Sequence, residues 1–186
     1  MSSSTAKQEL TITNPALLVD GSDANFRVLI NRLLYFSTRL LSVRDGFGAI
    51  LGLTGIQFSI LMSIKALSAE EDVTVNQLAD HLHLSGSFVT IETGKLQARG
   101  LVSKKRHPQD GRKIVLHITK EGRKLLGTLT STQQTINDLL FAKLSAADFR
   151  NLNAIAERLV SNADVATLEL SHMVSKLNAQ PNALSR

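Results

Sequence analysis

The sequence contains no cysteine and no tryptophan, and aromatic residues make up 4% of it. Without thiols the chain can form no disulfide bond, no thiolate zinc site and no thiol-based redox sensor. The first residues, MSSSTAKQELTITNP, also lack the basic start and the apolar run of a secretory signal. These absences favour a reducing compartment, and we expect the protein to be cytoplasmic.

Long uncharged runs are also scarce, with one exception. Residues 46–64 form a stretch of nineteen residues without a charge, which is close to the length that spans a bilayer. The stretch contains glycine at positions 46, 48, 52 and 55, and glycine is a poor helix former. We therefore predict a loop followed by a separate buried helix, and no membrane partner.

Positive charge is concentrated in one segment. Residues 95–124 include ten basic and two acidic side chains, a net charge of +8, whereas the whole chain has a net charge of +5. The remainder is therefore slightly acidic, at −3. A local cationic segment on such a chain suggests a surface that binds a polyanion such as nucleic acid. Charge alone is equally compatible with a solvated face.

Helical periodicity and capping residues predict the order of the elements in the first half of the chain. Residues 1–23 show no sustained period and are treated as an extension. A first helix with a wide apolar face is predicted from residue 25 to about 44. Further helices are predicted from about 54 to 67, from 74 to 82 and from 86 to 99, with Gly100 as the stop of the last. The last two helices and the turn 83–85 form a helix-turn-helix.

After Gly100 the period changes from helical to alternating, which predicts a β-hairpin. Its strands are residues 101–106 and 112–118, and its turn contains Pro108 and the Asp110-Gly111 pair.

Two long helices are predicted after the hairpin. Thr119 is the cap of one that runs to about residue 143, and Ser145 with Asp148 forms a capping-box signal for another that runs to about 177. Together with the first helix they have more apolar surface than a small helix-turn-helix core can cover, which predicts a helical homodimer interface. The fold class expected is therefore mainly α with a small β-hairpin wing: a winged helix-turn-helix plus a helical dimerisation region.

From about Phe26 to Leu177 the sequence resembles the multiple antibiotic resistance regulator (MarR) family. The matching segments are LTGIQFSILMSI, TVNQLADHLHLSGSFVT and KLQARGLVSKKRHPQDGRKIVLHITKEG. The resemblance implies one domain over 24–177, with dimerisation helices at 24–44 and 120–177 and a winged DNA-binding lobe at 53–119, between an extension at 1–23 and a tail at 178–186. It also implies a transcription repressor that binds a near-palindromic double-stranded operator as a homodimer and responds to a small-molecule effector. We expect no cofactor and no catalytic activity.

Twelve residues are candidates for contact with DNA. A helical wheel points Val89, Thr93 and Leu96 inward and leaves Ser87, Thr90, Ile91 and Gly94 outward, where hydroxyls can bond to bases or phosphates and Ile91 can touch a thymine methyl. The resemblance implies that Arg112 enters the minor groove and that Asp110 orients it. The full set is Ser85, Ser87, Thr90, Ile91, Gly94, Lys95, Lys104, Lys105, Arg106, Asp110, Arg112 and Lys113.

Alternatives remain open at several of these positions. Gly94 is equally compatible with a helix defect tolerated for packing, and Asp110 with a role in the turn alone. Glu92 stands where the family commonly has leucine; it is either half-buried against a basic neighbour or accepts a hydrogen bond from a cytosine amino group. A winged domain that binds only proteins is the alternative to DNA binding as a whole.

The resemblance also suggests an effector pocket, with Phe36, Arg39, Phe47 and Phe58 as candidate lining residues, although core packing is the simpler role for each phenylalanine. An enzyme is the main rival class, because Gly46-Phe47-Gly48 is reminiscent of a phosphate-binding loop. No strand precedes it and the third glycine is misplaced. The five histidines form no ligand pair at helical spacing, so no metal site is expected.

Overall fold

A computed structural model describes residues 9–68, 72–107, 110 and 113–179. The described chain forms two compact units, the first ending at Gln133 and the second beginning at Gln134. The helices and strands are α1 (Ala24–Ile50), α2 (Gly55–Leu67), β1 (Val73–Thr74), α3 (Val75–Leu82), α4 (Gly86–Ala98), β2 (Val102–Arg106), β3 (Ile114–Ile118), α5 (Lys120–Thr128), α6 (Thr130–Leu140) and α7 (Ala146–Asn178), and a short 3-10 helix (Pro15–Leu17) precedes them.

The expected fold class is confirmed, with one strand more than predicted. The sheet has three antiparallel strands in the order β1-β3-β2, and Leu116 of β3 pairs with Val73 on one side and Lys104 on the other. The predicted hairpin is confirmed as β2 and β3, and β1 is an additional strand that was not predicted. With two residues, β1 is too short to show the alternation that identifies a strand.

The first helix is longer than predicted. It continues to Ile50, so Gly46 and Gly48 lie inside α1 and the predicted loop is confined to residues 51–54. A Cβ atom on Gly48 would lie 2.8 Å from the backbone carbon and oxygen of Thr54. Gly48 therefore allows close approach of the α1 end to the start of α2, which explains the glycine without a loop.

Polar capping sets the starts of the helices in the first unit, as predicted. Thr54 and Gln57 form a capping box at α2, and Thr74 and Gln77 form a second one at α3. Because each box satisfies backbone N–H groups at a helix start, both entry points are fixed. His83 closes α3 in the left-handed conformation, with a φ of 51°.

The core of the first unit lies between α2, the helix-turn-helix and the sheet. Its fully buried side chains are Ile60, Leu61, Ile64, Leu78, Val89, Leu96, Leu116 and Leu129. Residues from α2, α3, α4 and β3 thus share one apolar interior. The helix α4 packs against this core through its buried residues Val89 and Leu96.

The predicted fifth helix is interrupted at Leu129, so a single helix from 119 to about 143 was wrong. The Thr128 hydroxyl donates to the Leu125 carbonyl at 2.7 Å, and the Leu129 N–H donates to the Leu126 carbonyl at 3.2 Å. Such local side-chain bonds and tightened turns bend helices. The bend accompanies complete burial of Leu129.

The second unit is dominated by α7. Ser145 and Asp148 form the predicted capping box at its start, and the helix continues to Asn178. No residue of α7, all of which is described, is buried in the single chain. Its exposed large apolar side chains are Phe149, Leu152, Ile155, Leu159, Val160, Val165, Leu168, Leu170, Met173, Val174 and Leu177.

Part of the predicted extension, residues 1–23, folds back onto the start of α1. The Asp23 carboxylate, which is fully buried, accepts from the Thr11 backbone N–H at 2.8 Å and from the Thr11 hydroxyl at 2.6 Å, and pairs with Arg27 at 2.6 Å. The hydrogen bonds from Thr11 lower the pKa of Asp23. This part of residues 1–23 is thus tied to the helix.

We predict that this anchor is acid-sensitive. A carboxyl group whose pKa is lowered on folding stabilises the fold at neutral pH, and that stabilisation is lost as the pH falls below about 3.9 and through the lowered folded value. The backbone amide resonance of Thr11 should titrate with a midpoint below that of an unperturbed aspartate, and Asp23→Asn should remove the titration. A midpoint at or above the ordinary aspartate pKa would contradict the anchor.

Among the described residues, no single helix has both the length and the apolar composition needed to cross a membrane; α1 and α2 pass that test only as a pair, bent by 86°.

Candidate nucleic-acid interface

The helix α4 has the two faces predicted by the helical wheel. The inner face contains the buried residues Val89, Thr93 and Leu96. The Thr93 hydroxyl donates a hydrogen bond to the Val89 carbonyl at 2.7 Å. The predicted outward residues Ser87, Thr90 and Ile91 are exposed, and Gly94 is half-buried. Ile91 is 57% exposed. An apolar side chain is therefore available at the centre of the outer face.

Hydroxyl groups at the start of α4 are already bonded within the helix. Ser85 is the N-cap, and its hydroxyl oxygen accepts from the Phe88 N–H at 3.3 Å and lies 3.2 Å from the Ser87 hydroxyl. The Thr90 hydroxyl donates to the Gly86 carbonyl at 2.8 Å. A hydroxyl has one donor and two acceptor positions. In this arrangement Thr90 can accept from a base amino group but cannot donate to a phosphate.

Glu92 lies on the inner side of α4 and is 5% exposed. Its Oε2 accepts from Gln57 Nε2 at 2.9 Å, and its Oε1 pairs with Lys95 Nζ at 2.6 Å. The hydrogen bond from Lys95 is the main cause of a lowered pKa for Glu92. Of the two predictions for this residue, the basic neighbour is confirmed, although burial is nearly complete rather than half. Acceptance from a cytosine is wrong, because the carboxylate faces the protein.

Lys104 on β2, a candidate DNA contact, is half-buried. Its Nζ donates to the Thr90 carbonyl of α4 at 3.2 Å, and desolvation lowers its pKa. A Cβ atom on Gly94 would lie 3.9 Å from the same Nζ, an ordinary contact, so packing within the chain does not require glycine there. Lys104 therefore joins the wing strand to α4.

The other predicted cations of the wing are exposed. Lys105 and Arg106 are at the end of β2, and Lys113 directly precedes β3. The Asp110 carboxylate lies 3.9 Å from Lys113 Nζ, and its backbone N–H donates to His107 Nδ1 at 3.2 Å. These contacts give Asp110 a place in the turn. Arg112 lies outside the described residues, so its pairing with Asp110 stays a prediction.

The structure also shows features of this surface that the sequence did not indicate. Phe88 is an additional half-exposed aromatic side chain on α4. An open groove of about 740 Å³ lies between the start of α3, α4 and the wing, and Asn76, Gln77, Thr90 and His107 are among its lining residues. Pairing of β1 with β3 places the start of α3 near the wing, and a two-residue strand gave no sequence signal for it.

The four predicted pocket residues are not brought together. Phe47 and Phe58 are buried and touch edge to face, with ring centroids 5.7 Å apart, so core packing is confirmed for both. Arg39 lies over the Tyr35 ring, 5.0 Å from its centroid, on an exposed part of α1, and Phe36 is also exposed. Within the described ranges, no group of three or more histidine, aspartate or glutamate side chains could hold a metal ion.

Comparison with known proteins connects this geometry to a family. The family model described as MarR family matches residues 51–113, which run from the loop before α2 through the helix-turn-helix and into the wing. This part of the chain is similar to the MarR family. The match includes α2, α3, α4 and β2.

Two relatives of this chain are transcriptional regulators of Bacillus subtilis (strain 168). One is YdgJ, an uncharacterized HTH-type regulator, 25% identical over 109 residues, which cover 59% of this chain and 66% of YdgJ. The other is the organic hydroperoxide resistance transcriptional regulator, 25% identical over 122 residues, which cover 66% of this chain and 80% of that protein. These relatives are named as regulators and not as enzymes.

Solved structures share the fold. MarR from E. coli complexed with operator DNA has a TM-score of 0.61 and 20% identity, over 73% of this chain and 96% of that one. The PcaV regulator from Streptomyces coelicolor, in complex with its natural ligand, has a TM-score of 0.55 and 25% identity, over 68% of this chain and 90% of that one. These comparisons support the winged helix-turn-helix fold of this chain.

Proposed function

We propose that this chain is a sequence-specific, double-stranded DNA-binding transcription regulator, most simply a repressor, that acts in the cytosol as a homodimer. The main supporting observation is the outer face of α4, where a strip of the exposed Ser87 and Ile91 and the half-buried Gly94 lies on the same lobe as the exposed wing cations. An α-helix of this kind fits the major groove, and the wing cations suit phosphates. The DNA complex of E. coli MarR has the same fold.

Base recognition in this proposal relies on small and apolar side chains. Lysine and arginine are absent from the strip formed by residues 87, 91, 94 and 98, all of which are described. Ile91 can contact a thymine methyl, and Ser87 can bond to a base edge or a phosphate. Affinity then depends mostly on Lys105, Arg106 and Lys113, which give a strong dependence on salt but little base preference.

A homodimer is proposed because two long helices leave apolar surface uncovered. On α1 the exposed large apolar side chains include Leu33, Leu34, Phe36, Leu40 and Leu41, and α7 has eleven more. Exposed apolar surface along a helix, of the extent that each of these two helices has, is characteristic of a subunit interface. Two-fold symmetry then predicts a near-palindromic operator with half-sites roughly 10 bp apart. The partition into dimerisation helices at 24–44 and 120–177 and a DNA-binding lobe at 53–119 is part of the same proposal.

Modulation by a small molecule is proposed by analogy with PcaV, whose structure contains its natural ligand. The chain has no cysteine, so its effector cannot act through thiol oxidation and must bind without a thiol adduct. Binding of effector and operator must be reciprocally coupled. A compound whose affinity is the same with and without bound DNA would not be the effector.

DNA binding is tested with the full chain and duplex DNA. Genomic fragments of the source organism selected on the protein should share a near-palindrome and shift its electrophoretic mobility, and the affinity should fall steeply with salt. The alternative, a winged domain that binds only proteins, requires that no duplex binds even at low salt. That result, or a solution mass of a single chain with duplex present, would overturn the proposal.

Arg112→Ala is expected to weaken operator binding by about 1–3 kcal/mol, because the resemblance assigns this arginine to the minor groove. Binding is measured by fluorescence anisotropy on a selected fragment. Lys65→Ala, which removes the same charge from the exposed end of α2, away from the candidate DNA contacts, is the matched control and should change little. Equal effects of the two substitutions would contradict the assignment of Arg112 to the groove.

A further inference from the structure

A continuous chain of hydrogen bonds connects the start of α2 with the recognition helix α4. The Thr54 backbone N–H donates to Gln57 Oε1 at 3.3 Å, Gln57 Nε2 donates to Glu92 Oε2 at 2.9 Å, and Lys95 Nζ pairs with Glu92 Oε1 at 2.6 Å. Gln57 is buried, as is Glu92. This series of hydrogen bonds therefore starts at the cap of α2, passes through the buried Gln57 and Glu92, and ends at a cation on the edge of the proposed DNA-binding face.

The direction of each bond is fixed by chemistry. Gln57 uses its amide oxygen in the capping box, so its amide nitrogen is directed to Glu92. Glu92, when ionised, can only accept, and both of its oxygens have a donor. Loss of the carboxylate acceptor would leave a buried amide N–H of Gln57 without a partner, which is costly. Glu92 is therefore held in place from both sides.

The consequence for Lys95 is that its charge is already compensated. Its ammonium group is 2.6 Å from a carboxylate, so binding of a phosphate must compete with Glu92 for the same donor. Ser87, Ile91, Gly94 and Ala98, along the outer face, are all uncharged. Under the proposed function this face of α4 enters the groove. It therefore offers small and apolar side chains to the DNA and has little uncompensated positive charge.

We propose that Glu92 is a positioning residue that withholds Lys95 from the DNA phosphates and thereby reduces binding of α4 to non-specific DNA. This inference rests on the proposed function. It assigns to Glu92 a role in limiting sequence-independent affinity, which comes mainly from phosphate neutralisation. Suppression of one phosphate contact lowers the affinity for every sequence by the same factor.

The test is the salt dependence of binding to a 30-bp duplex of random sequence, measured by fluorescence anisotropy between about 50 and 200 mM NaCl. In Glu92→Gln the amide oxygen still accepts from Gln57, but Lys95 is released. The slope of log K against log[NaCl] should steepen by about 0.9, the value for one additional phosphate contact. The affinity relative to the parent protein should then change by about threefold across this salt range.

Two further variants separate this role from a structural one. In a Lys95→Gln background, Glu92→Gln should leave the slope unchanged, because no cation is then released. Glu9→Gln, which removes one negative charge from the exposed extension before α1, is the matched control and should also leave the slope unchanged. A slope that steepens equally in the Lys95→Gln background would overturn the proposal, since the effect would not involve Lys95.

The remaining outcomes are also decisive. An unchanged slope in folded Glu92→Gln would overturn the inference while leaving the proposed function intact. If Glu92→Gln does not fold, Lys95→Gln alone decides: an unchanged slope supports the inference, and a slope shallower by about 0.9 shows that Lys95 already contacts phosphate and overturns it. If the parent protein binds no duplex at low salt, the proposed function itself fails.

Discussion

Leu96→Ala is expected to lower the free energy of unfolding by about 2–5 kcal/mol, because a fully buried leucine is removed from the interior of the first unit. Leu96 lies on the inner face of α4, next to the buried Glu92 and Thr93. The cavity would loosen the helix that the proposed function places in the groove. Urea unfolding followed by circular dichroism measures the loss, with the midpoint and the slope evaluated together.

Ile91→Ala is the matched control, since it removes a large aliphatic side chain from the opposite face of the same helix. Ile91 is 57% exposed, so its loss should change the free energy of unfolding by about 0.5 kcal/mol or less. Its expected effect is on DNA binding instead. The parent protein should prefer a site that contains the contacted thymine to the same site with deoxyuridine in its place, and Ile91→Ala should reduce this preference. Equal destabilisation by the two substitutions would contradict the assignment of inner and outer faces.

The helices of this chain could be predicted because their starts are determined locally. In four helices the side chain of the cap residue accepts a hydrogen bond from the backbone N–H three residues later, and apolar residues follow at helical spacing. The four caps are Thr54, Thr74, Ser85 and Ser145. Because such hydrogen bonds join residues that are neighbours in the sequence, the sequence pattern alone is enough to predict where each helix begins. The two faces of α4 followed from this start and from the helical period alone.

The contacts that give α4 its charge pattern could not be predicted, since they join residues far apart in the sequence. Gln57 is 35 positions from Glu92, and Lys104 is 14 positions from Thr90. A count of charges treats Lys95, Lys104 and Lys105 as equally available to DNA. In the structure, however, Lys95 forms an ion pair with Glu92, and Lys104 donates a hydrogen bond to the Thr90 carbonyl. Net charge of a segment therefore overestimates the positive charge that DNA would meet.

Glycine was the residue type most often misinterpreted, because sequence does not distinguish a flexible position from a crowded one. Gly46 and Gly48 were both assigned to a loop, yet both are helical, and only Gly48 is crowded by backbone atoms. The distinction requires the neighbouring segment, here Thr54 and Gly55 at the start of α2. The same contrast recurs within α5 and can be tested there.

Gly122→Ala is expected to destabilise the first unit by about 1–3 kcal/mol, although alanine is the better helix former. A Cβ atom at this position in α5 would clash with the Leu101 carbonyl oxygen and lie 2.9 Å from Ile118 Cγ1. That carbonyl cannot easily move, because it accepts from the Thr119 N–H at 3.1 Å where the sheet ends and α5 begins. Thermal and urea unfolding of the variant should both show the loss.

Gly127→Ala provides the comparison within the same helix, since a Cβ atom there would meet no atom within 4 Å. Alanine should then stabilise the chain by about 0.5–1 kcal/mol through the reduced entropy of the unfolded state. The two substitutions have identical chemistry and opposite expected signs, so helix propensity alone cannot explain the result. Stabilisation by Gly122→Ala would mean that α5 does not pack against Leu101 as the structure shows.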